Sequence, residues 1–223
     1  MFGRIVLNIP HASPVFPFGR GGWEDGIQRE VDRWTDWFTD WLFISEDPRT
    51  VAVAYPFSRF FCDVERLEDD PMEEVGQGIV YRRFNGLKRA LEAGEETWTL
   101  TSYREHIGRL RRAVNEETLL IDCHSFPQDL SDVEICLGFN DDWSRPPRAV
   151  IEYVERHFIR AGYRVGLNSP YSNAVSPACD CRYRSLMVEV NKGVYMKGGA
   201  MMDRERAGFL RRTIREMYEG LLK

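Results

Sequence analysis

Long apolar runs and clustered basic residues are both missing from this sequence of 223 residues. No apolar stretch approaches the roughly 20 residues that a helix needs to cross a bilayer, so we expect no membrane association. The net charge is −5 and the basic runs are short. We therefore expect no nucleic-acid partner, because phosphate binding needs a clustered basic face. The N-terminal apolar run is too short for a signal peptide, and we expect a cytoplasmic protein.

Cysteines are few and odd in number: Cys62, Cys123, Cys136, Cys179 and Cys181. Three of them lie in apolar, strand-like contexts, and buried free thiols are typical of proteins in a reducing compartment. The Cys179–Cys181 spacing is too short for a usual zinc knuckle, and no second cysteine pair supports one. The sequence also lacks a Gly-x-Ser-x-Gly elbow, which argues against a serine hydrolase using Ser13 or Ser125.

What is present is an alternation of apolar strands and amphipathic helices along the whole chain. Strands are predicted at 4–9, 51–55, 118–123, 133–139, 163–166 and 185–190. Helices are predicted at about 28–44, 101–117, 146–161 and 203–222. The alternation predicts an α/β fold with a mostly parallel, mixed central sheet and helices on both faces. No internal repeat or linker interrupts it, so we expect a single domain over residues 1–223.

Only four histidines occur, and two of them stand at the ends of strand-like runs. His11 follows the first predicted strand, and His124 ends the apolar segment that begins at residue 118. Ligands of α/β proteins bind at the carboxyl ends of strands, so these two side chains suggest one site. His106 and His157 lie in predicted helices, and we expect them to be ordinary surface or half-buried residues.

Glu189 is a single acid inside the apolar strand predicted at 185–190. Burying a lone carboxylate is costly unless it has a charged partner or a metal, although a strand-edge salt bridge is the structural alternative. A hydrolytic zinc site needs about three protein ligands, an open position and a carboxylate that moves a proton. His11 and His124 can supply two ligands, and Glu189 is the best candidate for the general base.

Six segments in order resemble the N-formylglutamate amidohydrolases, zinc-dependent deformylases related to the carboxypeptidase and aspartoacylase superfamily. The segments are IPHASP (9–14), EVDR (30–33), SRFFCDVER (58–66), LLIDCHS (119–125), ICLGFN (135–140) and LMVEVNKGVYM (186–196). The resemblance implies a phosphorylase/hydrolase-like zinc-peptidase architecture. It also implies a zinc-dependent hydrolase that cleaves the amide bond of an N-formyl or other N-acyl amino acid, with Glu189 as general base and acid.

The same resemblance implies a metal centre. His11, Asp32 and His124 would bind one zinc ion per chain, and Asp36, one turn after Asp32, is the alternative third ligand. Asp122 would orient the ring of His124, because metal-bound imidazoles usually donate their second N–H to a carboxylate. Cobalt, manganese or nickel could replace zinc at such a site.

The resemblance assigns substrate contacts to two arginines and a serine. Arg59 and Arg66 would bind a substrate carboxylate, Arg66 would also polarise the scissile carbonyl, and Ser125 would lie beside the substrate. The planar, permanently charged guanidinium matches a carboxylate well. The structural alternative for either arginine is an ion pair with Asp63 or Glu65.

Two positions depart from the family pattern. Glu65 stands where the family usually has asparagine, and the loop at 169–178 lacks the family's Gly-Gly step and following arginine. This loop is where we expect recognition of the substrate side chain. The substrate is therefore open between N-formylglutamate, another N-acyl amino acid and a small peptide-like amide. A non-catalytic module that binds a carboxylated metabolite through Arg59 and Arg66 is the alternative function.

Overall fold

The computed structural model describes residues 1–68 and 70–222, in which five helices and ten strands form. The strands are β1 (Arg4–Ile9), β2 (Thr50–Ala54), β3 (Arg83–Phe84), β4 (Leu87–Lys88), β5 (Thr118–Phe126), β6 (Ile135–Gly138), β7 (Val165–Leu167), β8 (Arg184–Asn191), β9 (Met196–Gly198) and β10 (Met201–Met202). The α-helices are α1 (Ile27–Trp34), α2 (Thr39–Phe43), α3 (Glu95–Ala113), α4 (Arg148–Arg160) and α5 (Arg204–Leu221). Single turns of 3-10 helix occur at Pro71–Glu73 and Lys192–Val194.

Six strands form one central sheet in the order β2-β1-β5-β8-β6-β7. All neighbouring pairs are parallel except β6 and β8, which run antiparallel. The prediction of a mostly parallel, mixed sheet is therefore confirmed. Because β1, β5 and β8 are adjacent and parallel, their carboxyl ends meet at one edge of the sheet, where the candidate site lies.

Helices cover both faces of the sheet, as predicted. Successive side chains of a strand point to opposite faces. Ile5 and Leu7 of β1 pack with apolar residues of α2, α4 and α5, whereas Val6 packs with residues of α3. The central strands are thus buried on both sides, which explains their near-continuous apolar sequence. Among the described helices, none is both long enough and apolar enough to cross a membrane.

The single helix predicted at 28–44 is wrong, because two helices form there. α1 ends at Trp34, Thr35 is extended, and Phe38 has a φ of 66°, a left-handed conformation that cannot lie inside a right-handed helix. Trp37 and Phe38 still pack against the apolar cluster on the α5 side of the sheet. The apolar stripe therefore continues across the break between α1 and α2, so the helical periodicity of the sequence does not show where the break occurs.

Candidate active site

The register of the central strands places four polar side chains together at the edge of the sheet. Asn8 of β1 lies opposite Asp122 of β5, and His124 of β5 lies opposite Glu189 of β8. All four residues are buried. The apolar residues that alternate with them, including Leu7, pack on the opposite face. Strand register and the two-residue period of a strand therefore build one wall of the site.

Three possible metal-ligand atoms converge beside the ends of β1 and β5. His11, Asp36 and His124 each offer one ligand atom, and these three atoms lie within 4.8 Å of one another. Asp36 Oδ2 is 3.0 Å from His124 Nδ1 and 3.9 Å from His11 Nδ1. The Asp36 backbone N–H donates to the His11 carbonyl at 2.9 Å, and the Thr39 hydroxyl donates to the Asp36 carbonyl at 2.8 Å. These bonds hold the break between α1 and α2 against the end of β1.

Asp32, the expected third ligand, is not part of this group. Its side chain is exposed on α1 and accepts a hydrogen bond from Gln28 Nε2 at 2.8 Å. Asp36, the alternative, lies with the two histidines. The reason is the break after Trp34: the chain turns inward there, and Thr35 and Asp36 are each 2% exposed.

Asp63 links His11 to the arginines, a contact that the sequence offered only as a structural alternative for the arginines. His11 Nε2 donates to Asp63 Oδ1 at 2.9 Å, while Arg59 Nη2 and the Tyr81 hydroxyl donate to Oδ2 at 2.9 and 2.7 Å. Burial opposes the charge of Asp63, but Arg59 and His11 hold its pKa well below the usual range. Nδ1, the other ring nitrogen of His11, is buried and has no hydrogen-bond partner in the described chain.

Without a bound metal, the rings of His11 and His124 differ in charge. Burial, and next the charge of Arg59, lower the pKa of His11 to about 4, so its ring is neutral and Nδ1 keeps its lone pair. Burial also opposes charge on His124, but Glu65 and Asp122 raise its pKa well above the ordinary value. Glu65 Oε1 and Asp122 Oδ1 lie 2.7 and 3.3 Å from His124 Nε2. His124 Nδ1 faces the opposite way, toward Asp36.

A cavity of about 480 Å³ opens over His124 and Glu189. Glu65 and Arg66 line it, and the loop expected to recognise the substrate contributes residues 171–176 to its wall. Glu189 Oε2 is buried and has no hydrogen-bond partner within the described residues. Burial raises the pKa of Glu189 to about 8, a value suited to proton transfer near neutral pH.

Arg59 and Arg66 both line the cavity, and both also approach Asp63. Arg59 is held by its 2.9 Å bond to Asp63. Arg66 is held more loosely: its Nε lies 3.7 Å from Asp63 Oδ2, and its Nη1 lies 3.6 Å from Asp70 Oδ2. Ser125 is buried and lines an adjoining pocket of about 240 Å³ together with both arginines. The structure thus brings the predicted substrate contacts together, and Arg66 has the greater capacity to donate to a ligand.

Comparisons with known proteins agree with the resemblance drawn from the sequence. The sequence model of the N-formylglutamate amidohydrolase family matches residues 3–196. An N-formylglutamate amidohydrolase structure from Ralstonia eutropha JMP134 has a TM-score of 0.79 and 21% identity, covering 97% of this chain and 91% of that one. A gene product from Agrobacterium tumefaciens has a TM-score of 0.65 and 18% identity, covering 98% and 92%. At these low identities, the two structural similarities support the fold and nothing beyond it. No curated protein sequence matches the chain significantly.

Proposed function

Because the chain belongs to the N-formylglutamate amidohydrolase family, we propose that it cleaves the amide bond of an N-formyl or other N-acyl amino acid in the cavity over His124. One observation carries this proposal. The buried group of His11, Asp36 and His124 adjoins a cavity that is also lined by the buried carboxylate of Glu189. This arrangement supports the proposal, because potential ligand donors and a buried carboxylate lie around a space of the size that small molecules occupy.

The donor set fits one divalent metal ion. His11 Nδ1 is a buried acceptor without a hydrogen-bond partner in the described chain, and a metal would satisfy it. Two imidazoles and one carboxylate are the protein ligands of several catalytic zinc sites. We therefore propose zinc, one ion per chain, held by His11, Asp36 and His124. When bound, such an ion supplies Lewis-acid polarisation of a carbonyl oxygen and lowers the pKa of water.

The chain's own residues perform the remaining steps in this proposal. Glu189 takes the proton of the attacking water and transfers it to the leaving amine, as expected of a carboxyl group whose pKa lies near neutrality. Arg66 binds the substrate carboxylate or donates to the oxygen that becomes negative during attack. Arg59, fixed by Asp63, adds positive charge beside it.

The hydrogen bonds of Ser13 and His124 argue against the alternative of a serine hydrolase. A nucleophilic serine needs a histidine base within hydrogen-bond reach. Ser13 Oγ donates to the Pro56 carbonyl at 2.7 Å. The nitrogens of His124, which adjoins Ser125, bond to the carboxylates of Asp36 and Glu65 instead.

Substitution of Glu189 tests the proposed role directly. Glu189→Gln keeps the size and polarity of the side chain but cannot take up a proton, so we expect turnover to fall by roughly 10²–10⁴-fold with metal content unchanged. Steady-state hydrolysis of N-formyl amino acids and elemental analysis measure the two quantities. Glu134→Gln is the matched control, because Glu134 precedes β6 and does not line the cavity. Full activity of Glu189→Gln would refute the role. Substrate binding without turnover by the unmodified protein would favour the non-catalytic module.

A further inference from the structure

A chain of buried polar side chains connects helix α3 with the candidate metal centre. His106 Nε2 lies 2.8 Å from Asn8 Oδ1, and Asn8 Nδ2 lies 2.8 Å from Asp122 Oδ1. The same Asp122 oxygen lies 3.3 Å from His124 Nε2. Each of these four residues is at most 4% exposed. Buried polar groups are costly unless they are hydrogen-bonded, so the four side chains depend on one another.

The direction of every hydrogen bond in this chain follows from chemistry. Both oxygens of Asp122 act as acceptors, because Oδ1 faces the Asn8 amide at 2.8 Å and Oδ2 accepts from the Val175 backbone N–H at 2.9 Å. The Asn8 amide must then turn its NH₂ toward Asp122 and its carbonyl oxygen toward His106. That oxygen needs a donor, so the hydrogen of the neutral His106 ring lies on Nε2. Burial keeps His106 neutral by lowering its pKa to about 3.

This arrangement acts on the ring of His124. The Nε2 hydrogen of His124 points between two carboxylates, with Glu65 Oε1 at 2.7 Å and Asp122 Oδ1 at 3.3 Å. This leaves Nδ1, the nitrogen that faces Asp36, as the atom available to a metal. Glu65 accepts from the same nitrogen, but its side chain is 22% exposed and is not held by a strand. Asp122 is held firmly on both oxygens, by Asn8 on one and by the Val175 backbone N–H at 2.9 Å on the other.

We propose that Asn8 and His106 are positioning residues of the metal centre, fixing through Asp122 the orientation and the tautomer of His124. The inference rests on the proposed metal site and adds two residues that do not touch the metal. Residues that hydrogen-bond to metal ligands commonly contribute 10- to 100-fold to metal affinity. The chain of hydrogen bonds predicts that residues on β5, β1 and α3 all contribute to metal affinity here.

The test compares metal binding among His106 variants. We expect His106→Leu, which removes the donor, to weaken zinc binding by about tenfold in competition with a chromogenic chelator. We expect it also to shift the visible absorption bands of the cobalt-substituted protein, because the His124 ring is no longer fixed. His106→Gln keeps an N–H donor for Asn8 and should retain the affinity and the spectrum. Asn8→Ser interrupts the chain at its middle and should behave as His106→Leu does, which keeps the test decisive if the leucine variant does not fold.

The control is Thr99→Val on the same helix. Thr99 is buried, and its hydroxyl donates to the Glu95 carbonyl within α3. Its loss should change the melting temperature but not the zinc affinity or the cobalt spectrum. Unchanged affinity and spectrum in folded His106→Leu or Asn8→Ser would overturn the inference while leaving the metal site in place. Failure of the unmodified protein to take up zinc or cobalt would overturn the metal site, and this inference with it.

Discussion

Glu65 places an ionisable carboxyl group in the cavity where the substrate is proposed to bind. Its carboxylate accepts from His124 Nε2 at 2.7 Å and lines the cavity together with Arg66. Burial, and next the neighbouring Asp122, raise the pKa of Glu65 to about 8. When ionised, Glu65 repels a substrate carboxylate that approaches Arg66. The charge of this one residue therefore bears on whether glutamate is the preferred acylated amino acid.

We expect Glu65→Gln to improve the use of an acidic substrate. Glutamine keeps an oxygen for His124 and removes the negative charge that Glu65 carries beside Arg66 once the pH exceeds about 8. Above a pH of about 8, where Glu65 is ionised, the ratio of kcat/KM for N-formylglutamate to that for N-formylglutamine should rise by roughly tenfold. The reason is that like charges a few ångströms apart repel by one to several kcal/mol at a partly buried site. Kinetics with the two substrates measure the ratio. Glu116→Gln, an exposed change outside the cavity, should leave it unaltered. An unchanged ratio in Glu65→Gln would contradict this account of specificity.

At the scale of secondary structure, the loop at 169–178 is positioned by close contact with a strand. Gly138 ends β6, and a side chain there would collide with the backbone oxygen of Asn173 and with Met187. Asn173 and Met187 both line the cavity. A residue without a Cβ at position 138 therefore lets the loop approach the sheet closely enough to form the cavity wall.

We expect Gly138→Ala to displace this loop. The added methyl group should cost about 1–3 kcal/mol of stability through overpacking. It should also raise KM more than it lowers kcat, because the loop lines the cavity proposed for the substrate and supplies no proposed ligand or base. Kinetics, thermal unfolding and metal analysis separate these effects. Gly208→Ala adds the same methyl on α5, where the nearest atom is Arg212 Nη1 at 4.0 Å, and should leave KM unchanged. An unaltered KM in Gly138→Ala would refute the positioning role of the contact.

The six strands of the central sheet were predictable because apolar runs with clear ends specify them, whereas the short pairs β3–β4 and β9–β10 were not predicted. β1 begins and ends where the sequence predicts, and Pro10, which lacks an N–H group, follows its last residue. The break between α1 and α2 was not predictable, because its apolar residues continue the stripe of the helices. That break brings Asp36 to the site, so the third ligand was the least predictable part. The resemblance to the family supplied Asp32 as the first choice.

His106 was expected at the surface or half-buried, and the structure corrects this. It is 2% exposed and bonded to Asn8, which lies 98 residues earlier in the chain. A histidine in a largely polar helix gives no local sign of such a partner. Asp63 was missed as a partner of His11 for a similar reason, because it lies in a loop without periodicity. Its only sign was its place between Arg59 and Arg66.

At the scale of the whole molecule, buried neutral histidines make the fold sensitive to acid. The folded protein keeps His106 neutral until the pH approaches about 3, whereas an unfolded chain binds a proton below about 6.5. The unfolded state therefore gains protons first, and the free energy of unfolding falls as the pH decreases from about 6.5 toward 3. His11, with a pKa lowered to about 4, acts in the same direction.

We expect His106→Gln to reduce this acid sensitivity. The variant removes one group that titrates on unfolding, so its unfolding free energy should decrease with acid less steeply, by up to about 1 kcal/mol per pH unit. Denaturant titrations of chelator-treated protein at several pH values between about 4 and about 7 measure how the free energy of unfolding changes with pH. Equal slopes in the variant and the unmodified protein would show that His106 is not held neutral by burial.

His11, Asp36 and His124 are proposed to form one metal centre, and the metal content of the purified protein decides whether they do. Elemental analysis of the unmodified protein, Asp36→Asn and Asp32→Asn compares two acids four positions apart, of which only Asp36 lies with the histidines. We predict about one zinc ion per chain in the unmodified protein and in Asp32→Asn, as for a single catalytic site, and a large loss in Asp36→Asn. Full zinc content in Asp36→Asn, or its loss in Asp32→Asn, would refute this metal centre.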